Sequence, residues 1–224
     1  MTIATILIGF IVILVGYFDH KKNITGIFGR LWGRWVLWST GINYTITGLQ
    51  NLEPNQQYIF VSNHESALDI PLCVAGLPYN NVFLAKKELF KIPIFGWAMH
   101  AAGMVRVNRQ NREKAKKSID RALKQISKTD ISIMIYPEGT RTRTGDLLPF
   151  KKGSFLLAVK SGLPVVPITV KGMFTILSKH SFRLSPGKVE LIIDKPITTS
   201  ELSEDDRDYL LEKTRNSIQK NKEN

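Results

Sequence analysis

Tyr58-Ile59-Phe60-Val61-Ser62-Asn63-His64-Glu65-Ser66-Ala67-Leu68-Asp69-Ile70-Pro71 is the stretch from which the fold can be read. Its first five residues form the apolar, aromatic and β-branched run of a buried strand. Its last residues begin a helix, because proline is tolerated in a first turn. On an unbroken helix, positions five apart differ by about 140° in direction, so His64 and Asp69 meet only if the chain bends between them. The reading therefore puts His64 in a loop leaving the strand and Asp69 at the start of the helix. That is the carboxyl end of a strand, where open α/β sheets hold their sites. A neutral imidazole accepts a proton near pH 7, and a carboxylate on its other nitrogen fixes the tautomer and offsets the charge that forms. The plainer alternative is that Asp69 only caps the helix.

Outward from this stretch the chain alternates between the two periodicities. Ile42–Thr47 reads as a strand ended by Gly48, with a turn at Pro54-Asn55-Gln56; Val82–Ala85, Gly103–Arg109, Ile131–Tyr136, Pro164–Val170 and Val189–Ile193 read as further strands. Asn111–Ser127 carries the apolar stripe of an amphipathic helix, a short helix runs through Phe155 to Gly162, and a last one starts near Ser203 with Asp206 placed for a capping box. Strands separated by helices predict an α/β fold, a central mixed sheet with helices on both faces.

With 224 residues, 43% of them hydrophobic, the chain can bury one substantial core. The net charge of +12 calls for an acidic partner. Nucleic acid is not the expected one, since the basic face of the 111–127 helix (Lys116, Lys117, Arg121, Lys124) lacks an aromatic platform or groove-entering motif. The single cysteine, Cys73, excludes an internal disulfide, and four scattered histidines give no metal-ligand spacing. No metal is expected.

Residues 1–18 contain no charge and would extend about 27 Å as a helix, against a hydrocarbon core of about 30 Å. With Asp19-His20-Lys21-Lys22 directly after it and no cleavage site, the segment reads as an uncleaved anchor, barely long enough to be a transmembrane helix. Lys21, Lys22, Arg30 and Arg34 would keep the remainder on the cytoplasmic side of the cell membrane. Residues 27–38 hold three of the four tryptophans and two arginines on one helical face, the composition of an interfacial helix. The expected division is a membrane-associated helical hairpin over residues 1–40 and a catalytic domain over 41–224.

Four motifs fall at strand ends: the His64/Asp69 pair, Gly103–Arg109, Glu138-Gly139-Thr140-Arg141, and Leu163-Pro164-Val165-Val166-Pro167. With Ala85-Lys86-Lys87-Glu88-Leu89 and Pro93-Ile94-Phe95-Gly96-Trp97, their order and spacing over about Tyr44 to Pro196 resemble the glycerolipid acyltransferases, more narrowly the 1-acylglycerol-3-phosphate acyltransferases. The resemblance implies transfer of a fatty acyl group from a thioester, on coenzyme A or acyl carrier protein, to the 2-hydroxyl of lysophosphatidate, with membrane phospholipid as the setting and no cofactor beyond that co-substrate. It makes His64 the general base and Asp69 its orienter. Arg109 and Arg141 take the family's phosphate-binding positions, with Lys86, Glu138, Gly139 and Thr140 also on the acceptor side, and Pro164, Val165 and Pro167 on the acyl-donor side. Asn108 and Arg106 depart from the residue types commoner there. The alternatives are another acceptor, such as glycerol-3-phosphate or a different lysophospholipid; a thioester hydrolase in which His64 activates water; and a lipid-binding module without catalysis.

Overall fold

Apolar runs too short for a helix and bounded by turn residues become the strands: β1 (Ile42–Thr47), β2 (Ile59–Ser62), β3 (Asn80–Lys86), β4 (Val105–Val107), β5 (Ile131–Ile135), β6 (Val165–Lys171) and β7 (Gly187–Ile193). The computed structural model describes residues 2–107, 112–181 and 183–223. The strands form one sheet in the order β1-β7-β6-β2-β5-β3-β4. All neighbours run parallel except β6 and β7, which makes the sheet mixed, as the sequence predicts. At its centre β2 is buried on both faces, the pattern of a parallel strand covered on either side.

The helices are α1 (Thr2–Phe18), α2 (Asn23–Ser39), α3 (Asp69–Gly76), α4 (Phe95–Ala101), α5 (Arg112–Ile126), α6 (Leu156–Ser161), α7 (Met173–Ile176) and α8 (Arg207–Glu223). On one face of the sheet Leu37 of α2, Leu72 of α3 and Met173 of α7 pack on Phe60, Val166 and Leu191. On the other, Ala122 of α5, Leu157 of α6 and Leu210 of α8 pack on Ile59, Val61 and Ile133. Ser203 and Asp206 form the expected capping box ahead of α8. The short helices α4 and α7 had no periodic signal in the sequence.

The N-terminal segments differ from expectation. Among the described residues no helix is long and apolar enough to cross a membrane. Instead α1 and α2 pair as a hairpin lying against the domain, and glycines set the approach: a Cβ on Gly33 would stand 2.7 Å from the Pro71 carbonyl oxygen, and one on Gly16 2.8 Å from Ala101 Cβ. A transmembrane reading of α1 is corrected by this geometry, since one side of the helix is spent on α4. Two of the three α2 indoles also turn inward: Trp32 Nε1 donates to Thr5 Oγ1 and Trp35 packs against the core. Arg30 donates to the Tyr79 carbonyl rather than reaching outward. What remains outside is an apolar stripe of Leu7, Phe10, Leu14, Tyr17 and Phe18 on α1 with Ile24, Ile27, Leu31 and Trp38 on α2.

Candidate active site

Because β6, β2, β5, β3 and β4 are parallel, their carboxyl ends share one edge of the sheet. The loop leaving β2 is held from both sides. Asn63 extends the ladder with its side chain, accepting from Val170 N at 2.8 Å and donating to Val170 O at 2.9 Å. His64 N donates to Glu138 Oε1 at 2.7 Å, and His64 O accepts from Thr142 N at 2.9 Å. The loop then curls around Asp69, whose Oδ2 accepts from Glu65 N (2.7 Å), Ser66 N (2.8 Å) and His64 Nδ1 (2.8 Å). The bend inferred from the helical angle is therefore present, and Asp69 does open α3.

A carboxylate only accepts, so the proton in the ring contact sits on Nδ1 and Nε2 keeps its lone pair. Asp69 is fully buried while the His64 side chain stays 14% exposed. The imidazole lies flat on Tyr136, with centroids 4.0 Å apart and planes 16° from parallel. Tyr136 in turn hydrogen-bonds Cys73 Sγ at 3.7 Å; burial drives its phenol well up and the Cys73 thiol to about 12. Neither side chain is an available nucleophile at neutral pH.

Glu138 has a different place from the one its motif suggested. Both carboxylate oxygens are taken, Oε1 by His64 N and Oε2 by Leu148 N at 3.2 Å, and the side chain is buried. It braces the His64 loop, and among the described residues it forms no ion pair with Arg141. Burial pushes its carboxyl up to about 7, against the pull of those two N–H donors and of Lys222.

Gly139 adopts a φ of +73°, a left-handed conformation that glycine takes without strain, and the Lys151 chain lies so close that a Cβ would stand 2.7 Å from Nζ. Thr140 Oγ1 accepts from Lys179 Nζ at 2.7 Å. Lys151 and Lys179 were missed by the sequence reading, since each reaches the motif from another part of the chain. Arg141 is half-buried and has no carboxylate partner among the described residues. Lys86 is exposed at the end of β3, two strands from β2, about 10 Å across at the usual strand spacing. Arg109, with Asn108, lies outside the described residues, just past the end of β4.

Pro164 and Val165 are not at this edge, and Pro167 lies inside β6. Val165 pairs with Ile59 and Pro167 with Val61, so Val165 stands about five strand positions, about 16 Å, short of His64. Val165 is fully buried, and the Pro164 and Pro167 carbonyls accept from Ile59 N and Asp194 N, both at 3.0 Å. Parallel pairing with β2 puts Pro164 and Val165 at the opposite edge of the sheet from His64, while Pro167, opposite Val61, stands about three positions, about 10 Å, short of it.

Behind the site, a cavity of about 180 Å³ lies between the hairpin, α3, β3 and α4, lined by Ile8, Val12, Trp32, Ile70, Val74 and Phe83 among others. Its lining includes Ile70, the residue after Asp69, and Phe83, whose ring is 6.1 Å from that of Tyr136.

Comparison with known proteins fits this arrangement. A family model described as Acyltransferase matches residues 43–171. A 1-acyl-sn-glycerol-3-phosphate acyltransferase of Cocos nucifera is 32% identical over 213 residues, covering 95% of this chain and 68% of that one. The chloroplastic enzyme BAT2 of Brassica napus, of the same name, is 40% identical over 77% of this chain and 49% of its own length. The crystal structure of the 1-acyl-sn-glycerophosphate (LPA) acyltransferase PlsC of Thermotoga maritima superposes with a TM-score of 0.83 at 25% identity, covering 98% of this chain and 89% of that one. With the matched region spanning β1 to β6 and enclosing the His64/Asp69 pair, the chain belongs to the acyltransferase family and is an acyltransferase enzyme.

Proposed function

We propose that the protein transfers a fatty acyl group from a thioester, on coenzyme A or acyl carrier protein, to the 2-hydroxyl of 1-acylglycerol-3-phosphate, forming phosphatidate. The observation that carries this is an imidazole held through Nδ1 by Asp69, in a loop bonded to Thr142 and so next to Arg141, which has no carboxylate partner among the described residues. His64 Nε2 takes the proton of the acceptor hydroxyl as its oxygen attacks the thioester carbonyl. The tetrahedral intermediate collapses with cleavage of the C–S bond, and the imidazolium returns the proton to the leaving thiolate. Attack is direct: Ser66 is fully buried with its hydroxyl accepting from Leu68 N, and Cys73 is buried as a neutral thiol. A thioester is activated enough for one step, and the scheme uses no metal or other cofactor.

Arg141 grips the acceptor phosphate, with Lys86 and Arg109 assigned to the same phosphate, because a guanidinium binds phosphate in a fork of two hydrogen bonds. Gly139 and Thr140 shape that side of the pocket, with Lys151 and Lys179 adding charge. The apolar cavity next to Phe83 takes the transferred chain. Arg141→Ala is expected to raise the KM for lysophosphatidate about 10- to 100-fold, the cost of one or two charge-assisted hydrogen bonds, and the acyl-donor KM much less. Initial-rate kinetics with both substrates varied check this, and the reverse order would sink the phosphate assignment.

The same reading puts the enzyme on a membrane. The hairpin's outer stripe, with Leu14 70% and Trp38 77% exposed, is contiguous apolar surface that enters one leaflet. The surplus of +12 then faces the anionic cytoplasmic surface of the cell membrane. Leu14→Asp/Phe18→Asp should move the full-length protein from pellet to supernatant when spun with anionic phospholipid vesicles. Undiminished sedimentation would remove the hairpin from the membrane contact.

A further inference from the structure

Lys222, in the last turn of α8, reaches across the end of the sheet to the loop that carries His64. It forms an ion pair with Glu65 Oε1, and the two side chains are 16% and 4% exposed. Glu65 is itself a junction: Oε1 also accepts from Asn63 Nδ2 at 3.3 Å, and Oε2 accepts from Phe174 N at 3.0 Å, in the first turn of α7. The residues flanking His64 and the start of α7 are thus tied to one carboxylate. The end of α8 is held in place for this contact, since Asn221 Nδ2 donates to Asp194 Oδ2 at 2.8 Å and to Thr169 Oγ1 at 3.3 Å.

The charge arithmetic around the base makes this pair more than a tether. Glu65, Asp69 and Glu138 are all buried within the loops that hold His64. Cys73 and Tyr136 face the same space from α3 and from the end of β5, and both are held neutral by burial. Among the described residues Lys222 is the only lysine or arginine in ion-pair contact with any of the three carboxylates. A cluster of buried carboxylates with one ammonium favours extra protons as soon as that ammonium is removed.

We propose that Lys222 is a positioning residue of the acyltransferase site: through Glu65 it fixes the His64 loop, and its charge offsets that of the buried Glu65 carboxylate beside the base. The proposal rests on the reading of His64 as general base. Lys222 lies at the far end of the chain from the motif it serves, and it touches neither substrate nor reacting atoms.

The direction of the effect follows whichever group responds. Without Lys222, an ionised Glu65 adds uncompensated negative charge that favours imidazolium. If Glu65 takes up a proton instead, it loses part of its hold on Asn63 and Phe174. Burial already raises the Glu65 carboxyl, and Lys222 is the leading influence against that rise. In both cases the site carries one more proton at neutral pH, and raising the pH removes it.

The test is the pH profile of kcat for transfer of the oleoyl group from oleoyl-coenzyme A to 1-oleoyl-lysophosphatidate by full-length protein in detergent. Lys222→Met should displace the acidic limb upward by about 1 pH unit, so that kcat falls about 3-fold at pH 7, by up to about 10-fold further down the limb, and recovers near pH 9. Both KM values should stay within about two-fold, because the change acts on the base and not on binding. Lys222→Arg should keep the wild-type profile. Glu65→Gln/Lys222→Met, which removes both charges and avoids an orphaned buried carboxylate, should recover most of the loss at pH 7. A Lys222→Met profile that superposes on the wild type, or a Lys222→Arg variant as impaired as the methionine, would overturn the proposal. Full activity of His64→Ala would instead remove the general-base reading beneath it.

Discussion

His64→Ala is expected to lower the rate of acyl transfer by about 10²–10⁴, the usual contribution of a positioned general base. The loss should fall on kcat, because the ring does not form the phosphate or acyl-chain contacts assigned above. The protein should stay folded: Asp69 keeps the Glu65 and Ser66 N–H donors, and the His64 backbone keeps its bonds to Glu138 and Thr142. What is lost is a ring stacked on Tyr136 at the edge of the site. Single-turnover transfer of a labelled acyl group measures the chemical step directly, with a thermal melt run beside it. A variant that melts like the wild type and keeps its full rate would mean that another group takes the proton.

Asp69→Asn removes only a charge, and its expected effect is nearly as large. Oδ2 is the point where three N–H donors converge, so the amide oxygen of asparagine must occupy it and the NH2 must take the place of Oδ1, which has no hydrogen-bond partner among the described residues. The imidazole then loses the negative charge that stabilises its protonated form. In serine-hydrolase triads the equivalent exchange costs about 10⁴ in kcat while leaving geometry intact. A loss of about 10²–10⁴ in kcat, with both KM values little changed, is the outcome expected here. A loss expressed mainly in KM would show that Asp69 shapes the binding pocket and does not act on the ring.

These two residues were legible because they are close in the chain. The strand before His64, the proline after Asp69 and the angle between helix positions are all local, and together they required the bend that the structure contains. The same is true of β5, whose apolar run stands out from its surroundings, and of the capping box before α8. The short helices α4 and α7 are too brief for a periodic pattern to distinguish them from loops. The first segment misled for a related reason: hydropathy counts apolar residues without saying which side of the helix is already occupied. Here Gly9 and Gly16 turn one side of α1 onto α4, and only the other remains exposed.

The sequence by itself determined the alternation of strands and helices and the meeting of His64 with Asp69, because each depends on the propensities and spacing of neighbouring residues. Tertiary structure alone decided what stands around that pair. Glu138 and Lys222 meet the His64 loop from 74 and 157 positions away, and Pro164 and Val165 are carried to the opposite edge by the direction of one strand. Strand order and direction are properties of how distant segments pack on one another, and no periodicity within a segment encodes them.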